Sequence, residues 1–265
     1  MKKLITILAL AGGMSASVAH AHGYWVLPSS TVLSTPQFVT FDAAVSNDPF
    51  HFNHRPLMID ALAILAPDGS KVAPVNVTKG ELRTTFDAKL EQEGTYRLEI
   101  VRAGFRASWK ENGQPKRFMG DAEGLKKEIP ATAQELQVTE QVNRLETFVT
   151  VGKPTAIKTI TKGLSVVFGT HPNDLVAGEP LTLEFLLDGE PVAGVEVEVI
   201  KGQTRYRNSK QEQKLKTNQD GKVTVNLPEA GMYWLDADYK DDHVSSKIAK
   251  ERTLSYVLTL EVLPQ

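Results

Sequence analysis

Apolar and polar residues alternate with a period of two along most of this chain. Val39, Phe41, Ala43 and Val45 share one face of a segment whose other face carries Thr40, Asp42 and Ala44. Tyr96, Leu98 and Ile100 alternate with Arg97, Glu99 and Val101. In the second half Leu181, Leu183, Phe185 and Leu187 form one face, and Val195, Val197 and Val199 alternate with Glu196 and Glu198. Val223, Val225 and Leu227 follow, then Tyr233, Leu235 and Ala237, and finally Leu254, Tyr256, Leu258, Leu260 and Val262. A strand sends successive side chains to opposite faces, so these segments predict antiparallel sheets packed face to face. Asp68-Gly69, Asp188-Gly189 and Asp220-Gly221 separate them as turns, because glycine takes positive φ without a Cβ clash.

The two halves carry a weak repeat. Glu93-Gly94-Thr95-Tyr96 and Glu229-Ala230-Gly231-Met232-Tyr233 each end one alternating stretch and open another with Gly-x-Tyr. In immunoglobulin-like sandwiches a tyrosine at such a corner bonds back to the backbone. The expected fold is therefore all-β: two immunoglobulin-like antiparallel β-sandwich domains, residues 22–152 and 153–265, joined at Gly152-Lys153-Pro154. Residues 110–135 are polar and carry Gly and Pro. They predict a surface insertion in the first domain with one short helix, Asp121–Glu128, N-capped by Asp121.

The first residues change the picture of where the chain works. Lys2 and Lys3, the apolar run Leu4–Met14 and the small-residue site Ala19-His20-Ala21 form a Sec-type signal peptide over residues 1–21, cut after Ala21. No later segment reaches the ~18 apolar residues of a membrane span. An exported chain with no cysteine points to the periplasm. Without Lys2 and Lys3 the 30 basic residues become 28 against 32 acidic ones, a charge of −4 with no basic stripe, which argues against nucleic acid as partner.

No G-x-S-x-G, H-E-x-x-H, P-loop or cysteine nucleophile is present, so hydrolase readings have nothing to rest on. Histidine is the informative residue. Cleavage makes His22 the N-terminus, where its α-amine and ring together chelate one ion such as copper, nickel or zinc. His51 and His54 follow a strand in AAVSNDPFHFNHRPL; in an extended chain they face opposite ways, and His54 is the better placed. His171 lies in the turn-rich GTHPNDL. His22, His54 and His171 are the expected metal ligands, with His51 behind them. Asp48 and Asp174 are the carboxylates placed to accept the second N–H of a ligating ring. His243, in a polar run, is expected to be exposed.

The strings AH-x-x-W, LPSSTVLS, DAAVSND, KENGQPKRFMG, Leu145–Thr150 leading to Lys153-Pro154, THPNDL-x-AGEP, TRYR, GMYWL and SYVLTLEVLPQ give a more specific indication. With them the chain resembles the periplasmic NikM-like family, a domain-of-unknown-function family labelled as nickel-uptake transporter components. The resemblance covers nearly the whole exported chain. It implies a Gram-negative periplasm, a β-rich fold and metal uptake beside a TonB-dependent receptor or an inner-membrane metal transporter. His22, His54 and His171 fall within the family strings, whereas His51 stands where an aromatic residue is common. The leading expectation is a metal-binding protein that captures or hands on nickel, copper or zinc. Two rivals stand beside it: a copper-dependent oxygenase using an N-terminal histidine brace, and a metal-free structural or adaptor protein.

Overall fold

The computed structural model describes residues 23–265; the signal peptide expected over residues 1–21, and His22, lie outside the described residues. The chain begins with β1 (Gly23–Pro28), β2 (Val32–Leu33), β3 (Gln37–Ser46), β4 (Arg55–Pro56) and β5 (Leu62–Leu65). Next come β6 (Lys71–Val72), β7 (Val75–Lys79), β8 (Thr84–Leu90), β9 (Gly94–Glu111) and β10 (Gln114–Gly120). The helix α1 (Ala122–Glu128) precedes the long β11 (Gln134–Val151). The second half holds β12 (Leu164–Phe168), β13 (Leu181–Leu187), β14 (Glu190–Pro191) and β15 (Glu196–Lys201). It closes with β16 (Gln213–Lys216), β17 (Lys222–Val225), β18 (Gly231–Asp241) and β19 (Glu251–Val262).

These strands form three sheets. One has the order β1-β3-β8-β7, with β4 on β3. A second, of ten strands, has the order β16-β15-β18-β19-β11-β9-β5-β6, with β10 on β9 and β2 on β11. The third joins β12, β13, β14 and β17. Pairing is antiparallel except at β11, which runs parallel to β19 and to β2.

The ten-stranded sheet is the middle layer of both sandwiches. Leu145, Val149 and Val151 of β11 enter a core with Trp25, Phe41 and Phe86. Phe148 points the other way, into a core with Leu183 and Phe185. The same parity divides Val257 from Tyr256 and Leu258 on β19, and Trp234 from Tyr233 and Leu235 on β18. The period-two pattern therefore predicts the sandwiches correctly, and the structure builds both on one shared sheet. A strand buried on both faces holds this joint together, since every residue from Arg144 to Val151 is buried. Trp25 and Phe41, fully buried on the first side, each contribute about 1.5–3 kcal/mol by leaving water.

The Gly-x-Tyr repeat forms a tyrosine corner in each sandwich. Tyr96 Oη accepts from the Gln92 N–H at 2.7 Å and donates to the Gln92 carbonyl at 3.2 Å. Tyr233 Oη donates to the Glu229 carbonyl at 2.8 Å. Each tyrosine bonds four residues back across a glycine at positive φ, Gly94 at 124° and Gly231 at 134°, which is where a Cβ would be strained.

Residues 110–135 differ from the expectation in one respect. The helix is there, with the Asp121 carboxylate accepting from the Gly124 N–H at 2.8 Å. The preceding residues are paired strand: β9 continues to Glu111 and turns back into β10 through Asn112 and Gly113. Phe105, Ala107 and Trp109 alternate into a third small core with Leu125 and Val138. The pattern fades only at β10, an edge strand exposed along most of its length.

Candidate metal site

One end of the first sandwich gathers several of the candidate residues. On β3, Ser46 pairs with Gly23 of β1, and on its other side Val45 pairs with Arg55 of β4. Gly23 begins β1 and Arg55 begins β4 at this end of β3, so the residue that follows His22 and the residue that follows His54 lie at the same end of the sheet. Two strand spacings, about 10 Å, separate the neighbouring strands there. The loop from Asn47 to His54 spans this end. Phe50 has φ 62°, a conformation uncommon for a residue with a Cβ. It turns Phe50 onto Trp25, with ring centroids 5.7 Å apart, and Phe52 joins at 6.0 Å. His51, between them, lines a groove together with both phenylalanines.

That groove, about 330 Å³ in volume, lies between the Pro49–Phe52 loop and the second sandwich. Its far wall is Lys201–Tyr206 with Gly231 and Met232. Arg207 ties this wall together, donating to the carbonyls of Gly202 at 2.9 Å and Lys201 at 2.7 Å. The two walls are latched: Lys210 Nζ donates to the Asn47 carbonyl at 2.8 Å and lies 3.6 Å from the Asp48 carboxylate. Asp48 thus serves an ion pair with Lys210. The Asn53 amide lies 3.3 Å from His51 Nδ1. His54 is exposed.

Behind the groove, β1 is anchored to the second sandwich. Trp234 Nε1 donates to the Tyr24 carbonyl at 3.0 Å, and Tyr24 Oη is 3.0 Å from Ser255 Oγ. Burial, then the nearby Asp236, push the Tyr24 phenol above its ordinary range.

His171 is elsewhere. Its Nε2 lies 3.0 Å from Thr95 Oγ1, and its Nδ1 accepts from the Asn173 N–H at 3.2 Å. Thr95 Oγ1 is also 3.0 Å from Thr150 Oγ1, which donates to Asn173 Oδ1 at 2.9 Å. Both ring nitrogens are engaged in this knot. Desolvation lowers the His171 pKa, against a smaller upward pull from Asp174. Thr95, the second residue of β9, pairs with Thr150 near the Gln37 end of β3, because β9 follows Leu90, which pairs with Gln37. The ten residues of β3 therefore separate His171 and Asp174 from His54 by roughly 30 Å. The structure places His51, His54 and Asp48 at the end where Gly23 begins β1, and His171 with Asp174 at the other. No group of three or more His, Cys, Asp or Glu side chains is placed to hold a metal ion among the described residues. His243 is exposed beside Asp241 and Asp242.

The sequence reading missed the Thr204–Arg207 wall and Met232. The signal was available at Met232: it alternates with Tyr233, so it faces away from the second core, on Trp234's side.

A family model described as a domain of unknown function (DUF4198) matches residues 19–241. No curated protein matches the chain. Among solved structures it is similar to the D0-D1 domain of intimin, at 13% identity over 90% of this chain and 97% of that one, with a TM-score of 0.23. It is also similar to the Escherichia coli adhesin FdeC, at 16% identity over 92% and 64%, with a TM-score of 0.23. A third likeness, at 10% identity over 89% and 23% and a TM-score of 0.22, is to Escherichia coli alpha-2-macroglobulin.

Proposed function

The chain belongs to the DUF4198 family, and we propose that it is a periplasmic protein that captures or hands on a transition-metal ion, nickel, copper or zinc, as an accessory to TonB-dependent uptake. The nickel-uptake label of the NikM-like proteins it resembles is part of this proposal, as is export by the signal peptide. The observation that carries it is the strand ladder that brings the residues adjoining His22 and His54 to opposite sides of one β3 end. A terminal His supplies an amine and an imidazole to one ion, and further imidazoles, His54 and His51, lie at the β3 end where Gly23, the residue after His22, begins β1. No helix among the described residues is long and apolar enough to cross a membrane.

The experiment is a set of titrations with Ni²⁺, Cu²⁺ and Zn²⁺ on protein beginning at His22 and on protein retaining one residue ahead of it. The extension removes the two-point chelate and keeps every side chain. The processed protein binds its metal at least about tenfold more tightly, the scale at which changes around a metal register in affinity. Equal affinities, or no binding by either form, overturn the proposal.

A further inference from the structure

We infer that the groove beside His51 is a Cu(I) site in which the Met232 thioether and the His51 imidazole are ligands. The inference rests on the metal-capture reading and goes further by naming the ion and a sulfur ligand that the histidine pattern does not contain.

Three observations carry it. The first is contact. A Cβ built on Gly202 would sit 3.0 Å from the Phe50 ring and 3.2 Å from the Met232 carbonyl. The Gly202 N–H donates to that same carbonyl at 2.7 Å. Phe50, Gly202 and Met232 are therefore packed one on the next, and His51, adjacent to Phe50, lines the same groove as Met232. The second is chemistry. The chain has five methionines and no cysteine, so thioether is its only sulfur ligand. Met119 and Met58 are exposed elsewhere, and Met232 is the methionine in this groove. Thioether with imidazole selects the soft Cu(I) over Ni²⁺ and Zn²⁺. The third is charge. Lys201 and Arg205 line the groove. Lys201 is paired with Glu229, and Arg205 lies over the Tyr206 ring at 5.5 Å. Repulsion scales with the product of the charges, so what remains of this positive field opposes a divalent ion twice as strongly as a monovalent one.

The geometry around His51 suits a ligand. Asn53 holds Nδ1 and is itself bonded to Ser46 Oγ. A side-chain amide flip turns its oxygen toward Nδ1–H, the support that a ring ligating through Nε2 requires.

The test is anaerobic competition for Cu(I) against bicinchoninate, using protein that begins at His22. Met232→Leu keeps the volume and removes the sulfur; it lowers Cu(I) affinity at least about tenfold and leaves Cu²⁺, Ni²⁺ and Zn²⁺ affinity unchanged. A copper–sulfur path in the X-ray absorption of the Cu(I) protein, absent in the variant, supports the same assignment. Unchanged melting of Met232→Leu guards against a folding artefact, and His51→Ala provides a second variant that also loses Cu(I). If Met232→Leu binds Cu(I) as tightly as the parent while the residue added before His22 abolishes metal binding, this inference falls and the metal-capture reading stands. If neither form binds any of the ions, both fall.

Discussion

Thr95 Oγ1 and His171 Nε2, 3.0 Å apart, form a hydrogen bond between the opening strand of the first sandwich's tyrosine corner and the first loop of the second sandwich. His171 Nδ1 accepts from the Asn173 N–H, so the ring is neutral with its proton on Nε2. Burial lowers its pKa below the ordinary 6.5. In the interval between the folded value and 6.5 the unfolded chain binds a proton that the folded chain does not. The stability this ring contributes is thus complete above 6.5 and is lost as pH falls from there through the folded pKa. Urea unfolding followed from about pH 7 to about pH 5 should show declining stability, with a shallower decline in His171→Gln. At neutral pH the variant should be weaker by about 1–3 kcal/mol, the cost of leaving buried partners unsatisfied. A pH dependence identical to that of the parent would remove His171 from this role.

Glu146 is the centre of a buried charge network on the shared sheet. It accepts from Tyr256 Oη at 2.6 Å and from Arg144 at 3.3 Å, and Arg97 lies 3.8 Å away. Arg144 also reaches Glu99 at 2.6 Å. Burial, then the Glu146 charge, push the Tyr256 phenol up, so it stays protonated and remains a donor. Glu146→Ala leaves two guanidinium groups short of a partner and should cost about 3–5 kcal/mol. Tyr256→Phe should cost less, about 1–3 kcal/mol. A double-mutant cycle in chemical denaturation checks the pair: additive losses would mean that the phenol and the carboxylate are not coupled.

The tyrosine corners yield a prediction that depends on their separation. Tyr96 belongs to the first core and Tyr233 to the second, and they share no partner. Tyr96→Phe and Tyr233→Phe should each cost about 1 kcal/mol. The double variant should lose the sum within about 0.5 kcal/mol. A markedly larger loss would show that the shared sheet transmits strain between the corners.

The corners and most strands were legible in the sequence because a half-buried strand writes its geometry as alternation. Asp121 was legible as a cap for the same local reason. The sharing of the middle sheet was not, because Leu145, Thr147, Val149 and Val151 on one side of β11 and Phe148 and Thr150 on the other present an ordinary strand; which sheet each face meets is a long-range fact. Within residues 110–135 the strand pairing of β10 is not legible because β10 is exposed along most of its length and carries no clear period. Among the histidines, sequence order gave no measure of distance. His171 follows a strand as His54 does, yet the two lie at opposite ends of the sandwich. Met232 carries no separate sign of a ligand, because in the sequence it stands only as the middle residue of a Gly-x-Tyr corner.

The fold therefore predicts how histidine variants divide. His54 and His51 share an end with the residue that follows His22, whereas both ring nitrogens of His171 are already bonded and Asp174 lies beside it, its N–H donating to the His171 carbonyl at 2.9 Å. In metal titrations of protein beginning at His22, His54→Ala and His51→Ala should weaken binding about tenfold or more. His171→Ala and Asp174→Asn should leave it unchanged while lowering the melting temperature, more so for His171→Ala. Asp48→Asn should act weakly, through its ion pair with Lys210. Binding by the parent should fall as the solution is acidified, because a ring must be neutral to coordinate. That decline should persist unaltered in His171→Ala. If His171→Ala instead abolishes binding with its melting unchanged, the ligands are not the ones grouped at the β3 end. The site would then have to be sought around the Thr95–Asn173 knot.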